Sequence, residues 1–317
     1  MKRYLLQSML TIFTLPKPFT GHSAIIQRNA INSWLKLKPT CEIILCGNDY
    51  GIAETAAELY VKHEPSVETN EYGTPLLSSA FQVIKEKASN SLLCYVNADI
   101  IITQSLIDAV RQVNFKEYLL VGQRWNLDID EALDYEHPGW EKQLLEKVDL
   151  EGKIQPPFGS DYFIFPKEVN WEIPDFAVGR PGWDNWLIFR ARALKIQVVD
   201  ATLVGTVVHQ NHNYAHIKDS LNPNSFEGPE AEKNRNLMGN GDTSFNIGDA
   251  TYLVTTAGVC KAKDYKYLKY RVIRQPVLQP AKGFIQKSLW RFFQALLYRR
   301  NYFPEWFWQN LIYTFTK

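Results

Sequence analysis

An Asn and an Asp lie two residues apart where a strongly apolar run ends, in SLLCYVNADIIIT (91–103). The run SLLCYV predicts a buried strand, and Asn97 and Asp99 follow it directly. At the carboxyl end of a parallel strand such groups face a crevice, where they avoid the desolvation cost of the core. A carboxylate there suits a divalent cation that bridges a diphosphate, because Mg²⁺ prefers oxygen ligands. Taken alone, an Asn-x-Asp sequence at a strand end is more often turn chemistry, which stays the alternative.

Three of the six histidines, His209, His212 and His216, fall within the eight residues HQNHNYAH that follow a second apolar run. Imidazole is a common metal ligand and carries a proton near neutral pH. His209 and His212 are therefore candidate ligands for a metal or a phosphate. The alternative is a solvated loop that carries its histidines incidentally.

A third group of candidates lies in GRPGWDNW (179–186), where Asp184 begins a helical pattern. Asp184 is either the N-cap of that helix or a base for a hydroxyl proton. The indole faces of Trp183 and Trp186 suit the apolar faces of a sugar. Asp161 follows a Gly-Ser turn, where a substrate contact and a turn role are both open.

The elements that would position these residues alternate between strand and helix. Apolar runs predict strands at 10–15, 42–47, 91–96, 118–122 and 161–166, and helical spacing predicts helices at 22–37, 53–60, from Pro75 to Ala88, and 184–194. Residues 196–209 predict a strand pair or one bent strand, and the Asn-, Gly-, Pro- and Ser-rich residues 217–249 predict a long loop. Such alternation predicts an α/β fold, in which helices cover both faces of a parallel sheet.

Composition and charge narrow the class of protein. Hydrophobic residues make up 45% and charged residues 22%, which excludes intrinsic disorder. Residues 261–317 hold 12 Lys/Arg against 2 Asp/Glu, whereas residues 1–260 hold 23 against 32. An acidic body opposes a broad phosphate footprint, so we expect no nucleic-acid partner. The four cysteines show no metal or paired spacing, which favours reduced thiols and a cytoplasmic location.

The basic end of the chain is also rich in aromatic residues, with twelve of them between Phe284 and Phe315. Two interpretations are open: a helical appendage that packs on the body, or an interfacial segment that touches anionic lipid at the inner face of a membrane. No run reaches about 18 uninterrupted apolar residues, so we expect no spanning helix. Residues 1–15 (MKRYLLQSMLTIFTL) predict a core strand rather than a signal peptide.

Taken in order, these segments resemble the nucleotide-sugar glycosyltransferases of the GT-A fold, family-2-like group, over residues 9–215. The resemblance rests on TIFTLPKPF, EIILCGND, YVNADIII as a variant of the family's Asp-x-Asp motif, GWDNW and VVHQNH. It implies a Rossmann-like mixed, mainly parallel sheet flanked by helices in a catalytic domain at 1–260. A basic helical segment at 261–317 would follow it. It also implies transfer of a sugar from a nucleotide-diphosphate donor to a glycan, glycolipid or similar hydroxyl acceptor.

The resemblance also implies residue roles. Asp99 matches the acid that binds a divalent cation, Mn²⁺ or Mg²⁺, and Asn97 stands where the family usually has Asp. Asp184 resembles the acid that deprotonates the acceptor, and His209 or His212 the late histidine of the metal site. Asp49 is similar in placement to acids that recognise the nucleoside.

Three other functions stay open. A sugar-nucleotide pyrophosphorylase needs a Gly-rich phosphate loop after the first strand, where FTLPKPFTGHSA offers only Gly21. A non-catalytic sugar- or nucleotide-binding protein is favoured by Asn97. A metal-dependent hydrolase needs several firm ligands, whereas the clustered histidines share one short segment.

Overall fold

A computed structural model describes residues 10–211, 226–239 and 243–278. The larger of two sheets contains β1 (Thr11–Thr14), β2 (Glu42–Cys46), β3 (Lys62–Glu64), β4 (Leu92–Val96), β6 (Tyr118–Val121), β9 (Tyr162–Pro166), β10 (Gln197–Asp200), β12 (Tyr252–Thr255) and β13 (Gly258–Lys261). The smaller sheet contains β5 (Ile100–Ile102), β7 (Trp125–Leu127), β8 (Lys153–Ile154) and β11 (Val207–Gln210). The helices are α1 (Gly21–Leu35), α2 (Ile52–Glu58), α3 (Leu77–Lys87), α4 (Gln104–Val110), α5 (Trp140–Glu151), α6 (Trp183–Ala193), α7 (Pro229–Leu237) and α8 (Tyr265–Leu278).

The larger sheet has the strand order β13-β12-β10-β6-β9-β4-β1-β2-β3. Its pairs are parallel except where β9 lies antiparallel between β4 and β6, and where β12 and β13 form an edge hairpin. The predicted α/β class with a mixed, mainly parallel sheet is therefore confirmed. Because β9 runs the opposite way, its first residues lie at the same edge as the carboxyl ends of its neighbours.

Helices cover both faces of this sheet, and the strand side chains alternate between two cores. Phe13 of β1 packs with α3 and α6 on one face. Its neighbour Ile12 packs with α1, α2 and α4 on the other face. Strands buried on both sides must be apolar throughout, which explains why the sequence shows continuous apolar runs here rather than alternation.

The smaller sheet begins directly after the candidate Asn-Ala-Asp sequence. Residues 97–99 form the turn between β4 and β5, closed by a hydrogen bond from the Ile100 N–H to the Asn97 carbonyl at 3.1 Å. β5 pairs with β11, which in turn pairs with β7. The two strands predicted within 196–209 are therefore β10 and β11, and they belong to different sheets.

The predicted long loop at 217–249 is wrong over residues 229–237, which form α7. Pro229 stands in the first turn, where its missing N–H costs nothing, and Glu230 and Glu232 complement the positive end of the helix. The polar residues that suggested a loop instead form hydrogen bonds between α7 and other segments of the chain. Asn234 is fully buried and bonds to the backbone of Ala177 through both its amide nitrogen and its oxygen.

A buried ion pair ties α7 to the turn that precedes α6. Glu230 is 3% exposed, accepts from the Arg180 Nε at 3.0 Å, and accepts from the Asn70 Nδ2 at 2.7 Å. Removing one partner leaves a charge buried without compensation. We expect Arg180→Met to lower the free energy of unfolding by about 3 kcal/mol in urea denaturation.

The matched control for this prediction is Arg28→Met, which breaks a pair with Glu58 in which both side chains are partly exposed. Its expected cost is below about 1 kcal/mol. Equal losses in the two variants would show that burial does not strengthen the Arg180–Glu230 pair.

The first turns of α8 pack on the body of the protein. Tyr267 is 1% exposed, and its hydroxyl donates to the Asp200 Oδ2 at 2.8 Å. Within the described ranges, no helix is long and apolar enough to cross a membrane. The aromatic segment 284–315 and its predicted lipid contact lie outside the described residues, and the division of the chain at residue 260 stays a prediction.

Candidate active site

The site begins with a pair of side chains at the edge of the larger sheet, where β4 ends and β9 begins. The Asn97 N–H donates to the Asp161 carbonyl at 2.9 Å, and its Nδ2 donates to the Asp161 Oδ1 at 2.8 Å. These bonds extend the antiparallel register of β4 and β9 by one position. The amide of Asn97 therefore serves a buried carboxylate, which an Asp at this position could not do at neutral pH.

Asp161 has a second partner, the guanidinium of Arg124, which lies between β6 and β7, directly before Trp125. Asp161 is 7% exposed, so this ion pair is largely screened from water. The Arg124 Nε also donates to the Asn126 Oδ1 at 3.0 Å. The guanidinium is thus held by two acceptors, and Asp161 is held by a cation and an amide.

A second pair joins the two sheets, because Asp99 lies in the turn between β4 and β5, and His209 lies on β11. The His209 Nε2 is 3.4 Å from the Asp99 Oδ2. The backbone N–H of Gln210 and its side-chain Nε2 both donate to the Asp99 carbonyl, at 3.3 and 3.1 Å. The position of Asp99 is therefore set by β11, the same strand that carries His209.

Asp184 lies in the first turn of α6, with Gly182 at the N-cap position, so the N-cap interpretation of Asp184 is wrong. The pKa of Asp184 is raised to about 6. Burial is the main cause, and the nearby negative charge of Asp161 raises the pKa further. Backbone hydrogen bonds at Asn185 and Ser160 act in the opposite direction. A carboxyl group with this pKa is ionised at pH 7 and close to the range in which a general base works best.

The carboxylate of Asp184 accepts a backbone hydrogen bond from Ser160, the residue before Asp161, and the charges of these acids all act on Tyr95. Burial and then the carboxylates of Asp99, Asp161 and Asp184 raise the pKa of Tyr95. The structure thus brings Asn97, Asp99, Asp161 and Asp184 to one edge of the sheet, although they are far apart in the sequence.

Trp183 and Trp186 lie beneath this edge and not in the open crevice. Their residues are 6% and 7% exposed, and Trp183 packs edge-on against Tyr95 with ring centroids 5.0 Å apart. Trp186 packs against Phe176. Little of either indole is left for a sugar ring, and both rings support the first turn of α6, which carries Asp184.

Asp49 is exposed in the turn that follows β2, and its carbonyl accepts from the Ile52 N–H as α2 begins. Its predicted contact with a nucleoside stays a prediction. His212 lies outside the described residues. Among the described residues no group of three or more His, Cys, Asp or Glu is arranged to hold a metal, so Asp99 and His209 stand as a pair.

Sequence reasoning missed Arg124, Tyr95 and Ser160 as parts of the site. Arg124 follows the predicted strand 118–122, so the rule that identified Asp99, a polar residue just after a strand, could also have identified Arg124. Ser160 is buried, and its hydroxyl has no hydrogen-bond partner among the described residues. Only the antiparallel placement of β9 brings Ser160 and Asp161 to this edge.

No protein-family model matches the chain, and no curated protein matches it. A provisionally named nucleotide-diphospho-sugar transferase from Desulfovibrio desulfuricans G20 aligns over 74% of this chain and 95% of its own, with 10% identity and a TM-score of 0.37.

Two other solved structures are named more fully. Glucosyl-3-phosphoglycerate synthase from Mycobacterium tuberculosis, in complex with Mg²⁺ and UDP, aligns over 74% of this chain and 79% of its own, with 11% identity and a TM-score of 0.41. GalNAc-T7, with UDP, GalNAc and Mn²⁺, aligns over 91% of this chain with 14% identity and a TM-score of 0.45. The alignment covers 54% of GalNAc-T7, so this chain spans about half the length of that protein.

Proposed function

We propose that this chain is a nucleotide-sugar-dependent glycosyltransferase of the GT-A type. In this proposal it moves a sugar from a nucleotide-diphosphate donor to a hydroxyl group of a glycan or a lipid-linked acceptor. The observation that carries the proposal is that the Asp99–His209 pair and Asp184 lie at one edge of a mainly parallel sheet, connected through the Asn97–Asp161 bond and the Ser160 backbone bond to Asp184. Sugar transfer needs the charge of the leaving diphosphate stabilised on one side and a base for the acceptor on the other.

Asp99 and His209 would hold the divalent cation on the donor side. A carboxylate oxygen and an imidazole nitrogen 3.4 Å apart are close enough for one cation to bind both, and both are donors that Mn²⁺ accepts. When bound, the cation would neutralise charge on the diphosphate. The Asn97 amide bonds to Asp161, so it adds no charge to this pair.

Asp184 would take the proton of the acceptor hydroxyl. Its carboxylate is partly buried beside Asp161, whose own charge is neutralised by Arg124. Asp161 thus raises the basicity of Asp184, while Arg124 and Asn97 hold Asp161 in place. In this proposal Asp161 orients and tunes the base, and its direct contact with substrate is an additional role.

The test is thermal stabilisation of the purified protein by UDP, GDP, CMP and dTDP, each with Mn²⁺, with Mg²⁺ and with EDTA. A ligand that binds only the native state stabilises it by about 2.7 kcal/mol at a hundredfold excess over its dissociation constant. We expect one nucleotide to act, only with metal, and Asp99→Ala to remove the effect because the variant loses the carboxylate of the metal pair.

Asp149→Ala is the control for this experiment, since Asp149 is an exposed acid on α5. It should respond to the nucleotide as the wild type does. Stabilisation that persists in EDTA or in Asp99→Ala would contradict the metal role of Asp99.

A non-catalytic binding protein with the same fold is the second candidate, favoured by Asn97 where the resembling family has an acid. Nucleotide binding alone does not separate the two functions. Release of nucleotide diphosphate from a donor sugar nucleotide, in the presence of an acceptor mixture, separates them, because only an enzyme turns over.

A further inference from the structure

A pocket of about 620 Å³ opens beside the candidate active site, between the ends of β6 and β10 and the first turns of α8. Its walls include Gln123, Lys266, Lys269 and three tyrosines, Tyr265, Tyr267 and Tyr270. A volume of this size accommodates a small molecule or one or two sugar rings. None of these residues has a role in the proposed donor site.

The pocket lies at the same edge of the larger sheet as the acids. Gln123, a residue of the pocket wall, lies in the segment that follows β6. Its neighbour Arg124 forms the ion pair with Asp161, so this wall is connected to the acids through consecutive residues. The Asp200 side chain, which ends β10, forms the floor one strand further on.

A shared loop also connects the pocket to Asp184. Pro157 lines the pocket, and its carbonyl accepts from the N–H of Ile247, another wall residue, at 3.1 Å. The next carbonyl, that of Phe158, accepts from the Asn185 Nδ2 at 3.0 Å. The wall of the pocket is therefore hydrogen-bonded to the residue that follows the proposed base.

The charges of the lining identify the kind of ligand. Two ammonium groups, on Lys266 and Lys269, balance two carboxyl groups, on Asp200 and Asp264. Asp200 is already bonded to Tyr267 and Thr202, and the Lys266 ammonium lies over the Tyr267 ring, 4.6 Å from its centroid. This balance disfavours a phosphate or a nucleotide, which would require an excess of positive charge.

Tyr270 supplies an aromatic surface to the pocket. Gly248 lies against the ring of Tyr270, since a Cβ atom at Gly248 would come within 2.5 Å of it. Lys269 is partly buried, and within the part of the chain that the structure describes it makes no ion pair. An aromatic face with the Lys269 ammonium beside it suits a hydroxylated ring.

We propose that this pocket binds a neutral, hydroxyl-rich ring, namely a sugar residue of the acceptor that presents its hydroxyl group to Asp184. The proposal rests on the proposed glycosyltransferase function and adds the chemical class of the acceptor. Its key residues are Tyr270, which stacks on the ring, and Lys269, which donates to a hydroxyl group. The Nε2 of Gln123 already donates to the Gln155 carbonyl at 2.6 Å, so Gln123 would accept from a hydroxyl group through its Oε1.

The test is saturation-transfer NMR with methyl glycosides of glucose, galactose, mannose and N-acetylglucosamine, and with methyl glucuronide as the anionic comparison. The expected result is that at least one neutral glycoside binds to the wild type. Tyr270→Ala and Lys269→Ala should each bind it about threefold to tenfold more weakly. Tyr270→Phe should bind nearly as the wild type does, because it keeps the ring.

Two controls separate this proposal from the proposed function. Lys261→Ala removes an exposed lysine of β13 that does not line the pocket, and it should change nothing. The nucleotide response should be unaltered in Tyr270→Ala and Lys269→Ala, which also verifies that both variants are folded.

Several outcomes would overturn the acceptor pocket. These are no binding of any neutral glycoside, stronger binding of the glucuronide than of all neutral sugars, or unchanged binding in both pocket variants. Absence of a nucleotide response in the wild type, with glycoside binding still dependent on Tyr270, would instead overturn the transferase function and leave a sugar-binding pocket.

Discussion

Asp184→Asn is expected to lower turnover by roughly 100-fold to 10,000-fold, the usual contribution of a positioned general base. The amide keeps the size and hydrogen bonds of the side chain but cannot accept the acceptor's proton. Because Asp184 is not part of the Asp99–His209 pair, nucleotide binding should persist. The measurements are initial rates of nucleotide release and thermal stabilisation by the nucleotide.

The stability of this variant distinguishes loss of a base from loss of the fold. The pKa of Asp184 is raised from 3.8 to about 6, so ionisation of this group costs stability as the pH rises from 4 to 6, and the cost is complete above that range. Asp184→Asn removes the cost, and we expect it to be no less stable than the wild type at pH 8. The exposed Asp175→Asn serves as the control and should keep full activity. A large loss of stability in Asp184→Asn would show that the carboxylate has a structural role.

The same pKa predicts the acid side of the pH profile. Turnover should fall as the pH drops through about 6, because Asp184 becomes protonated. Asp161→Asn removes the negative charge that raises this pKa, so the fall should move to lower pH.

Asn97→Asp is expected to destabilise the protein and not to improve its metal site. The new carboxylate would face the Asp161 carboxylate across the present 2.8 Å hydrogen bond, and the donor that Asp161 now has would be lost. We expect the free energy of unfolding to fall by about 1 to 3 kcal/mol at pH 8. Repulsion raises the pKa of the new acid in the folded state, so the loss should shrink as the pH falls toward 4.

Urea denaturation at pH 8 and pH 5 tests this expectation, with Asn48→Asp as the control. Asn48 is exposed in the turn after β2, where an added carboxylate should cost little. If Asn97→Asp were fully stable and bound nucleotide with metal more tightly, the Asn97–Asp161 bond would have no structural importance.

The sequence was sufficient for the elements that form the larger core. β1, β2, β4, α1, α3 and α6 lie within one or two residues of their predicted ranges, because each is long or strongly apolar and periodic. In the smaller sheet only β11 was predicted, as part of the strand pair at 196–209, and β5, β7 and β8 were not predicted as separate elements. Ile100–Ile102 continues an apolar run, and only the turn at 97–99 shows that it enters another sheet.

Which residues come together in the site depends on long-range contacts, and no local sequence pattern predicts them. Asp161 is 64 residues from Asn97, and their pairing depends on the reversed direction of β9. The direction of a strand is decided by the path of the chain between strands, which the apolar pattern does not record. Asp99 and His209 were found because each follows an apolar run directly, so the strand-end rule applied to both.

The turn at 97–99 also connects two sheets that share a core. β5 and β11 place Ile100, Ile102 and Val207 in the core that β1 forms with α1, whereas Ile101 and Val208 pack with α5 on the other face. Separating His209 from Asp99 by moving β11 therefore requires Val207 to leave the core of the larger sheet, and the free energy of this opening should approach that of global unfolding. Heat or denaturant should then abolish metal-dependent donor binding together with the native larger sheet and not before it.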